Sequence, residues 1–327
     1  MSGSRNLPMV SIIVSTLNNE GTIGECLKSI FELDYPQDLL EVIVVDGGSK
    51  DSTVTLAKNF PAKVMVKLSS APEAYNYALK IAKGDIIGII DADAKVERSW
   101  LKKLIVHLSD PKVAGASGTI KTWNRERALP RCIGYDIEYR YSRIKGEAKR
   151  VATMNLLLKR NVLEEIGGFN EALPTQYDTD LGVRITSRGY KIILDPSAKC
   201  YHFNRPTWRS YFKQQFQYGK NTLRLYLKIP RLIKGDAITD FSMNIQPILL
   251  FLSVIFALLG FFNNLFWIIS AALIFILFGI FIFHAVKLAY IYKDVTAVML
   301  IAVYLVRVVA WSIGGLASIV MLLKSEA

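Results

Sequence analysis

The carboxyl-terminal quarter of this 327-residue chain carries very little charge. No Asp, Glu, Lys or Arg occurs between Asn244 and Lys287, and the pair Asn263-Asn264 divides this stretch in two. Each half is close to the roughly 20 apolar residues that an α-helix needs to cross a bilayer. A further apolar run follows near the end of the chain. The sequence therefore predicts three membrane-spanning helices, at about 245–262, 265–286 and 295–323.

The first half of the chain alternates between strand and helix patterns. Short β-branched runs at 10–15, 42–45 and 86–90 read as buried strands, and helical periodicity appears at 22–32 and 74–82. Near-continuous apolar strands separated by helices are typical of a parallel sheet that is covered on both faces. We therefore predict an α/β fold with a Rossmann-like, mostly parallel sheet.

A basic and aromatic segment joins these two parts. Eight Lys or Arg residues and no acidic residue lie between Arg205 and Gly235, interleaved with Trp and Tyr side chains. This composition suits helices in a lipid headgroup layer, and it also suits nucleic acid. Because apolar spans follow directly, we expect a lipid surface and no nucleic-acid partner. The predicted domains are 1–204, the interfacial helices 205–243 and the transmembrane region 244–327.

Charge and cysteine placement indicate which side of the membrane the first domain occupies. The formal net charge is +12, and the scattered Cys26, Cys132 and Cys200 form no disulfide or zinc pattern. The first ten residues lack the apolar core of a signal peptide. With an outer turn at Asn263-Asn264, Lys287 lies inside, as the positive-inside rule prefers. We expect a multi-pass protein of the cell membrane whose first domain is cytoplasmic.

Two carboxylates follow the apolar run at 86–90. Asp91 and Asp93 are one residue apart, so on an extended segment both side chains point the same way. Ligands of open α/β sheets collect beyond the carboxyl ends of the strands. Paired carboxylates at such an edge suit Mg²⁺ or Mn²⁺ carrying a diphosphate. The alternative is a polar strand end with no ligand.

A third carboxylate, Asp46, ends the strand at 42–45 and begins a Gly-Gly turn. A carboxylate there can accept hydrogen bonds from a ribose or base, or it can simply cap the turn. The neighbouring loop after the first strand begins at Thr16-Leu17. These positions are candidates for a nucleotide site at one edge of the sheet, with turn capping as the alternative for Asp46.

The ordered set of segments resembles the family 2 glycosyltransferases of the GT-A fold, over about Pro8 to Gly219. Each motif by itself is loose, but their order along the chain is specific. The segments that carry the resemblance are 10–20, 44–53, 84–93, 167–171, 178–181 and 188–192.

The resemblance implies an inverting sugar transfer from a nucleoside diphosphate sugar and assigns roles to several residues. It implies that Asp46 holds the base beside Thr16 and Leu17, and that Asn76 lies near the diphosphate. Asp91 contacts the ribose or the metal, and Asp93 coordinates Mg²⁺ or Mn²⁺. His202 lies where related enzymes complete the metal site, although a lone His in an aromatic stretch is often structural.

Asp178 matches the position of the family's general base. A carboxylate can deprotonate an acceptor hydroxyl, and Asp can also cap the helix that follows. The chain departs from the family at two charged positions, which are occupied here by Tyr75 and Tyr177. The Arg-Trp of processive synthases is also absent from 214–219.

We therefore expect a metal-dependent enzyme that transfers one sugar from a UDP- or GDP-sugar to a lipid-borne acceptor at the cytoplasmic membrane face. A polyprenyl or dolichyl phosphate acceptor, which needs no base, is an alternative. A non-catalytic membrane scaffold that retains the fold is another. Arg307, inside the third predicted span, is a functional candidate because buried cations are costly there. It can meet a lipid phosphate or pair with a polar group between helices.

Overall fold

The computed structural model describes residues 7–144, 146–150, 152–236 and 238–326. The chain divides into two compact units, each described by itself below. The sheet unit comprises Met1–Trp123 and Ile144–Phe203, and the helical unit comprises Asn124–Arg143 and Asn204–Ala327. The predicted domain 1–204 includes residues 124–143, whereas in the structure these residues pack with the carboxyl-terminal helices.

Nine strands in the described residues form one sheet in the order β3-β2-β1-β4-β8-β6-β9-β5, with β7 pairing to β9. The strands are β1 (Val10–Thr16), β2 (Leu40–Asp46), β3 (Lys63–Val66), β4 (Ile86–Ile89), β5 (Ala94–Val96), β6 (Val113–Thr122), β7 (Gly146–Ala148), β8 (Leu156–Lys159) and β9 (Lys191–His202).

The predicted α/β fold is confirmed, with one difference in strand direction. Strands β3, β2, β1 and β4 are parallel, as the apolar runs predict. Strand β8 is antiparallel to both β4 and β6, so the other half of the sheet is mixed. The central strands are buried throughout because helices cover both faces, and this explains why their sequences do not alternate with polar residues.

The helices, in chain order, are α1 (Ile23–Phe31), α2 (Thr53–Ala57), α3 (Ala71–Ile81), α4 (Trp100–Ile105), α5 (Ala128–Ser142), α6 (Arg160–Glu165), α7 (Tyr177–Ser187), α8 (Trp208–Lys228), α9 (Phe241–Leu259), α10 (Asn264–Tyr292) and α11 (Leu300–Glu326). Helices α5 and α8 to α11 belong to the helical unit, and the others belong to the sheet unit.

Helix α3 carries Tyr75 and Asn76, two of the positions singled out in the sequence. The start of the helix is determined by a capping box. The side chain of Glu73 accepts hydrogen bonds from the backbone N–H and hydroxyl of Ser70, both at 2.7 Å. Pro72 occupies the first turn, where its missing N–H costs nothing. This capping box sets the helix register, in which Tyr75 is buried.

The helical unit contains three helices that are long and apolar enough to cross a membrane: Phe241–Leu259, Asn264–Tyr292 and Val295–Lys324, with mean hydropathies of 2.0, 2.8 and 2.1. Asp240 and Asn263 cap α9 and α10 through side-chain oxygens that accept backbone N–H groups. The Asn263-Asn264 turn of the sequence prediction is therefore a helix boundary.

Helix α5 packs within the helical unit, an arrangement that the sequence pattern does not predict. Its Arg131 Nε donates to Asp294 Oδ2 at 3.0 Å, and the Tyr135 hydroxyl donates to the same oxygen at 2.8 Å. Helix α8 lies closely along α11, where Trp311 Nε1 donates to Gln215 Oε1 at 2.9 Å. A Cβ added at Gly219 would lie 2.5 Å from the Trp311 Cα, so only glycine permits this approach.

Candidate active site

The site lies at the edge of the sheet where the parallel strands β1, β2 and β4 end. Thr16 and Asp46 are the final residues of β1 and β2, and they are direct neighbours in the register of the two strands. Leu17 follows Thr16 and is 52% exposed. The Thr16 hydroxyl and the Leu17 N–H both donate to Asn19 Oδ1 at 3.2 Å. Parallel pairing thus brings together three positions that the sequence assigned to the nucleotide.

Asp46 is fully buried and holds the turn that follows it. Its Oδ1 accepts hydrogen bonds from the backbone N–H groups of Gly48 and Ser49, at 2.9 and 2.8 Å, and the Ser49 hydroxyl donates to Oδ2. Gly48 has a φ of +97°, a conformation that favours glycine. These contacts fulfil the capping role, and the contact of Asp46 with a nucleoside base stays a prediction.

Asp91 and Asp93 lie in the turn between β4 and β5. The sequence argument placed both on an extended segment, but β4 ends at Ile89 and the Ala94 N–H donates to the Asp91 carbonyl at 2.9 Å, which closes a turn. Asp93 is buried, with 9% exposure. The two carboxylates interact through this turn, so alternation along a strand is not what brings them together.

His202 joins Asp93 through sheet pairing. It is the last residue of β9 and pairs with Ala94 of β5. Its Nε2 lies 3.5 Å from Asp93 Oδ1, and the imidazole is buried. The Phe203 N–H also donates to the Asp93 carbonyl at 2.8 Å. Residues 109 positions apart in sequence are thereby fixed side by side.

Burial and the adjacent Asp93 carboxylate raise the pKa of Asp91, whereas His202 and the hydroxyl of Tyr75 act to lower it. The Tyr75 hydroxyl donates to Asp91 Oδ1 at 3.0 Å. Two neighbouring carboxylates in a water-poor setting repel each other, and a divalent cation relieves that repulsion.

The donor set of Asp91, Asp93 and His202 suits Mn²⁺ or Mg²⁺, because it offers two hard oxygen ligands and one imidazole. Within the described residues no three His, Cys, Asp or Glu side chains converge closely enough to enclose an ion by themselves. An ion held here would therefore complete its coordination with other oxygens, such as those of a diphosphate.

Asp178 lies in the first turn of α7, where its Oδ1 accepts the Thr179 N–H at 2.8 Å. The alternative role of Asp178 as the N-cap of α7 is wrong, because the N-cap residue is Gln176, with a left-handed φ of 67°. Burial raises the pKa of Asp178, against a lowering by Arg150. The Asp178 charge also contributes to raising the pKa of Asp91, so the two carboxylates lie in one region.

The side chain of Asn76 forms hydrogen bonds with the turn that contains Phe169. Its Nδ2 donates to the Phe169 carbonyl and to Glu171 Oε1, both at 2.8 Å, and its Oδ1 accepts the Phe169 N–H at 2.8 Å. Gly168, with φ of +71°, allows this approach, since a Cβ there would lie 2.5 Å from Asn76 Oδ1. The amide thus has a structural role, and its predicted place near the diphosphate stays a prediction.

Two supporting features were not predicted from the sequence. The rings of Tyr75, Phe169 and Tyr177 form an aromatic cluster, with centroid separations of 5.0, 5.9 and 6.2 Å. Arg184 donates from Nε to Asp180 at 2.7 Å and from Nη1 to the carbonyls of Ile166 and Gly168. The ion pair between Asp180 and Arg184 could have been predicted from their i,i+4 spacing.

A model of glycosyl transferase family 2 matches residues 11–167, which include β2, β4, the Asp91–Asp93 turn and all of β1 except its first residue. The chain therefore contains a family 2 glycosyltransferase domain. A solved structure similar to this chain is the mannosyltransferase PcManGT from Pyrobaculum calidifontis, in complex with GDP-Man and Mn²⁺. That structure is 25% identical, with a TM-score of 0.59, and the match covers 94% of this chain and 87% of PcManGT.

Two curated relatives add to the comparison. The probable glycosyltransferase YdaM of Bacillus subtilis is 28% identical over 242 residues, which are 68% of this chain and 57% of YdaM. The beta-monoglucosyldiacylglycerol synthase of Synechocystis sp. is 28% identical over 211 residues, which are 59% of this chain and 43% of the synthase. The chain thus spans about half the length of both relatives.

Proposed function

We propose that this chain transfers a single sugar, with inversion, from a nucleoside diphosphate sugar to a lipid-borne acceptor, and that the transfer depends on a divalent metal ion. The observation that carries the proposal is the grouping of Asp91 and Asp93, which lie within the family 2 match, with His202 of β9. Asp178 adds a carboxylate with a raised pKa to the same region.

The metal and the donor are supported by the similarity to PcManGT, whose structure contains GDP-Man and Mn²⁺. In this chain the ion would be held by Asp91, Asp93 and His202. A bound ion stabilises the negative charge that develops on the leaving diphosphate. Thr16, Leu17 and Asp46 lie at the ends of the adjoining strands, where the base and ribose of the UDP- or GDP-sugar would bind.

Asp178 would act as the general base for a hydroxyl acceptor. The acceptor oxygen bonds to the anomeric carbon while the bond from that carbon to the donor phosphate oxygen breaks. The hydroxyl proton passes to Asp178, and the nucleoside diphosphate leaves. The raised pKa supports this role, because it makes the carboxylate a better proton acceptor than an ordinary surface Asp.

A lipid-borne acceptor is supported by the apolar helices and by the name of one relative. Three helices are long and apolar enough to span a bilayer, and the Synechocystis relative is a monoglucosyldiacylglycerol synthase. The eight basic residues of 205–235 and Lys287 favour a cytoplasmic location for the sheet unit. The absence of Arg-Trp at 214–219 favours one addition over processive synthesis.

The test supplies purified protein with a panel of UDP- and GDP-sugars, a membrane lipid extract and Mn²⁺, and identifies lipid products by mass spectrometry. The proposal predicts one glycolipid that carries a single added sugar. Polymeric product would contradict the single addition. No turnover of any donor, with a folded protein that still binds lipid, would favour the non-catalytic scaffold.

A further inference from the structure

The helical unit contains a polar cleft among helices that are otherwise apolar. It is small and partly open to solvent, and α5, α9, α10 and α11 contribute to its walls. Such a concentration of charge is unusual inside a membrane-type helix bundle and marks a functional site by default. Its Asp, Arg and His lining residues are Asp136, Arg140, Arg143, Asp240, His284 and Arg307.

Arg307 is the deepest cation of the cleft. Its side chain is 6% exposed, and Nη1 donates to Asp136 Oδ2 at 3.2 Å while Nη2 donates to Gln246 Oε1 at 3.3 Å. Its guanidinium carbon lies 4.6 Å from the centre of the Tyr304 ring. Of the two alternatives left by the sequence, the polar pair is therefore present, and the partner comes from α5.

The pairing does not balance the charge. Arg140 also contacts Asp136, at 3.1 Å, so two guanidinium groups share one carboxylate. Arg143 pairs with Asp240 at 2.8 Å. Among the lining residues three arginines thus face two carboxylates, which leaves one positive charge uncompensated. An unmatched charge in a low-dielectric setting is costly, and an anion with about one negative charge relieves it.

The depth of the cleft indicates where that anion comes from. Asp240 caps the start of α9, and Lys287 lies near the end of α10, so the cleft is at the end of the bundle where these helix termini meet. Arg307 is seven residues beyond the start of α11, which is about 10 Å along the helix axis. The cleft therefore opens at one end of the three apolar helices, which is where lipid headgroups lie in the membrane placement of the proposed function.

We propose that this cleft binds the phosphate group of a membrane lipid, held by Arg140, Arg143 and Arg307. Guanidinium groups present paired N–H donors that match phosphate oxygens. Exposed apolar side chains of α9, including Ile248 and Phe251, provide a surface for the acyl chains. The inference depends on the membrane placement in the proposed function but not on sugar transfer.

The test measures thermal unfolding of the purified full chain in a neutral detergent without nucleotide sugar. Phosphatidic acid, diacylglycerol and inorganic phosphate are titrated separately. Phosphatidic acid should raise the unfolding temperature, because a ligand of the native state stabilises it. Diacylglycerol and inorganic phosphate should each have a much smaller effect. An equal rise with diacylglycerol would contradict phosphate recognition, and an equal rise with inorganic phosphate would contradict a lipid source.

Arg140→Gln is the decisive variant. It leaves Arg307 and Asp136 as a one-to-one pair but removes the hydrogen bond from Arg140 Nη1 to the Ile238 carbonyl, so the lipid-free protein should unfold at a modestly lower temperature than the wild type. The apparent affinity for phosphatidic acid should fall at least about tenfold, since a hydrogen bond to a charged group is lost. Arg140→Lys, which keeps the charge, should retain most of the binding and serves as the second variant if Arg140→Gln folds poorly.

Lys234→Gln is the matched control, because it removes an exposed cation at the same end of α9 that does not line the cleft. It should bind phosphatidic acid as the wild type does. Wild-type affinity in Arg140→Gln, or an equal loss in Lys234→Gln, would overturn the proposal. Since no donor is present, a failure of sugar transfer leaves the outcome of this test unaffected.

Discussion

The hydroxyl of Tyr75 donates a 3.0 Å hydrogen bond to Oδ1 of Asp91. Tyr75 is buried and its ring packs against Phe169 and Tyr177, so the hydroxyl is held in place by the aromatic cluster. A neutral donor therefore orients the first carboxylate of the proposed metal site. The resemblance marked Tyr75 and Tyr177 only as departures from a charged pattern, whereas the structure gives both a packing role.

Tyr75→Phe removes this hydrogen bond and leaves the packing unchanged. Loss of a net contribution of about 1 kcal/mol should weaken Mn²⁺ binding about fivefold. The measurement is a Mn²⁺ titration by electron paramagnetic resonance with a nucleoside diphosphate present. Tyr77→Phe is the control, because Tyr77 is on the same helix but faces Lys67. Equal Mn²⁺ affinity in Tyr75→Phe and Tyr77→Phe would show that the Tyr75 hydroxyl does not contribute to the metal site.

Asp178→Asn should abolish proton acceptance without disturbing donor binding. Transfer to a hydroxyl acceptor should fall by about 10²-fold or more, while the dissociation constant of the nucleotide sugar stays within about twofold of the wild type. Both are measurable on one preparation by product formation and calorimetry. Full residual transfer would exclude the base role and would favour a phosphate acceptor, which is already ionised.

The raised pKa of Asp178 predicts two effects of pH. Because the ionised form is the active one, transfer should decline with falling pH already above the range of an ordinary Asp, whose pKa is about 3.9. The pKa of Asp178 is higher in the folded state than in the unfolded state. The contribution of Asp178 to the free energy of unfolding therefore falls as pH rises from the unfolded-state pKa through the folded-state pKa.

Asp178→Asn should consequently keep or raise the unfolding temperature at neutral pH while activity is lost. A scan of unfolding temperature against pH, compared with that of the wild type, tests the sign. A variant that is less stable than the wild type at neutral pH and equally stable in acid would contradict the direction of the shift.

Gly167 and Gly168 offer a matched pair of substitutions. Both have positive φ, +81° and +71°, so an alanine at either costs about 1–2 kcal/mol. Nothing lies within 4 Å of a Cβ at Gly167, whereas a Cβ at Gly168 would lie 2.5 Å from Asn76 Oδ1. Gly168→Ala should therefore destabilise more than Gly167→Ala in denaturant unfolding. Equal losses of unfolding free energy in the two variants would show that the contact with Asn76 does not require glycine at position 168.

Arg184→Gln should destabilise the turn that carries Gly168. Arg184 neutralises Asp180 and donates to the carbonyls of Ile166 and Gly168. Removing one partner of a largely buried pair costs about 3 kcal/mol. Lys102→Gln, which breaks an exposed pair with Asp34, should cost less than about 1 kcal/mol. Similar unfolding free energies for the two variants would contradict this assignment.

The sheet and its parallel half could be predicted from sequence because β1, β2 and β4 are continuous apolar runs separated by helical periodicity. The adjacency of Thr16 and Asp46 follows from that alone, since parallel strands end at one edge. The grouping of Asp93 with His202 came from the family resemblance. It could not come from local pattern, because the contact depends on pairing between β5 and the distant β9.

The packing of helix α5 within the helical unit could not be predicted from the sequence, for a physical reason. Its polar residues, including Arg131, Asp136 and Arg140, are spread around the helix, so no apolar stripe predicts a buried face. Their partners Asp294 and Arg307 lie more than 150 positions later. A buried arrangement of this kind becomes visible only when the distant partners are placed together.

The central claim is that Asp91, Asp93 and His202 hold a divalent ion on which sugar transfer depends. The most direct measurement is release of nucleoside diphosphate from the preferred donor, with Mn²⁺ or with a chelator, by the wild type and by Asp93→Ala. We predict turnover only in the wild type with Mn²⁺, and a loss of about 10²-fold or more in the variant. Undiminished turnover in the chelator, or in folded Asp93→Ala, would contradict the claim.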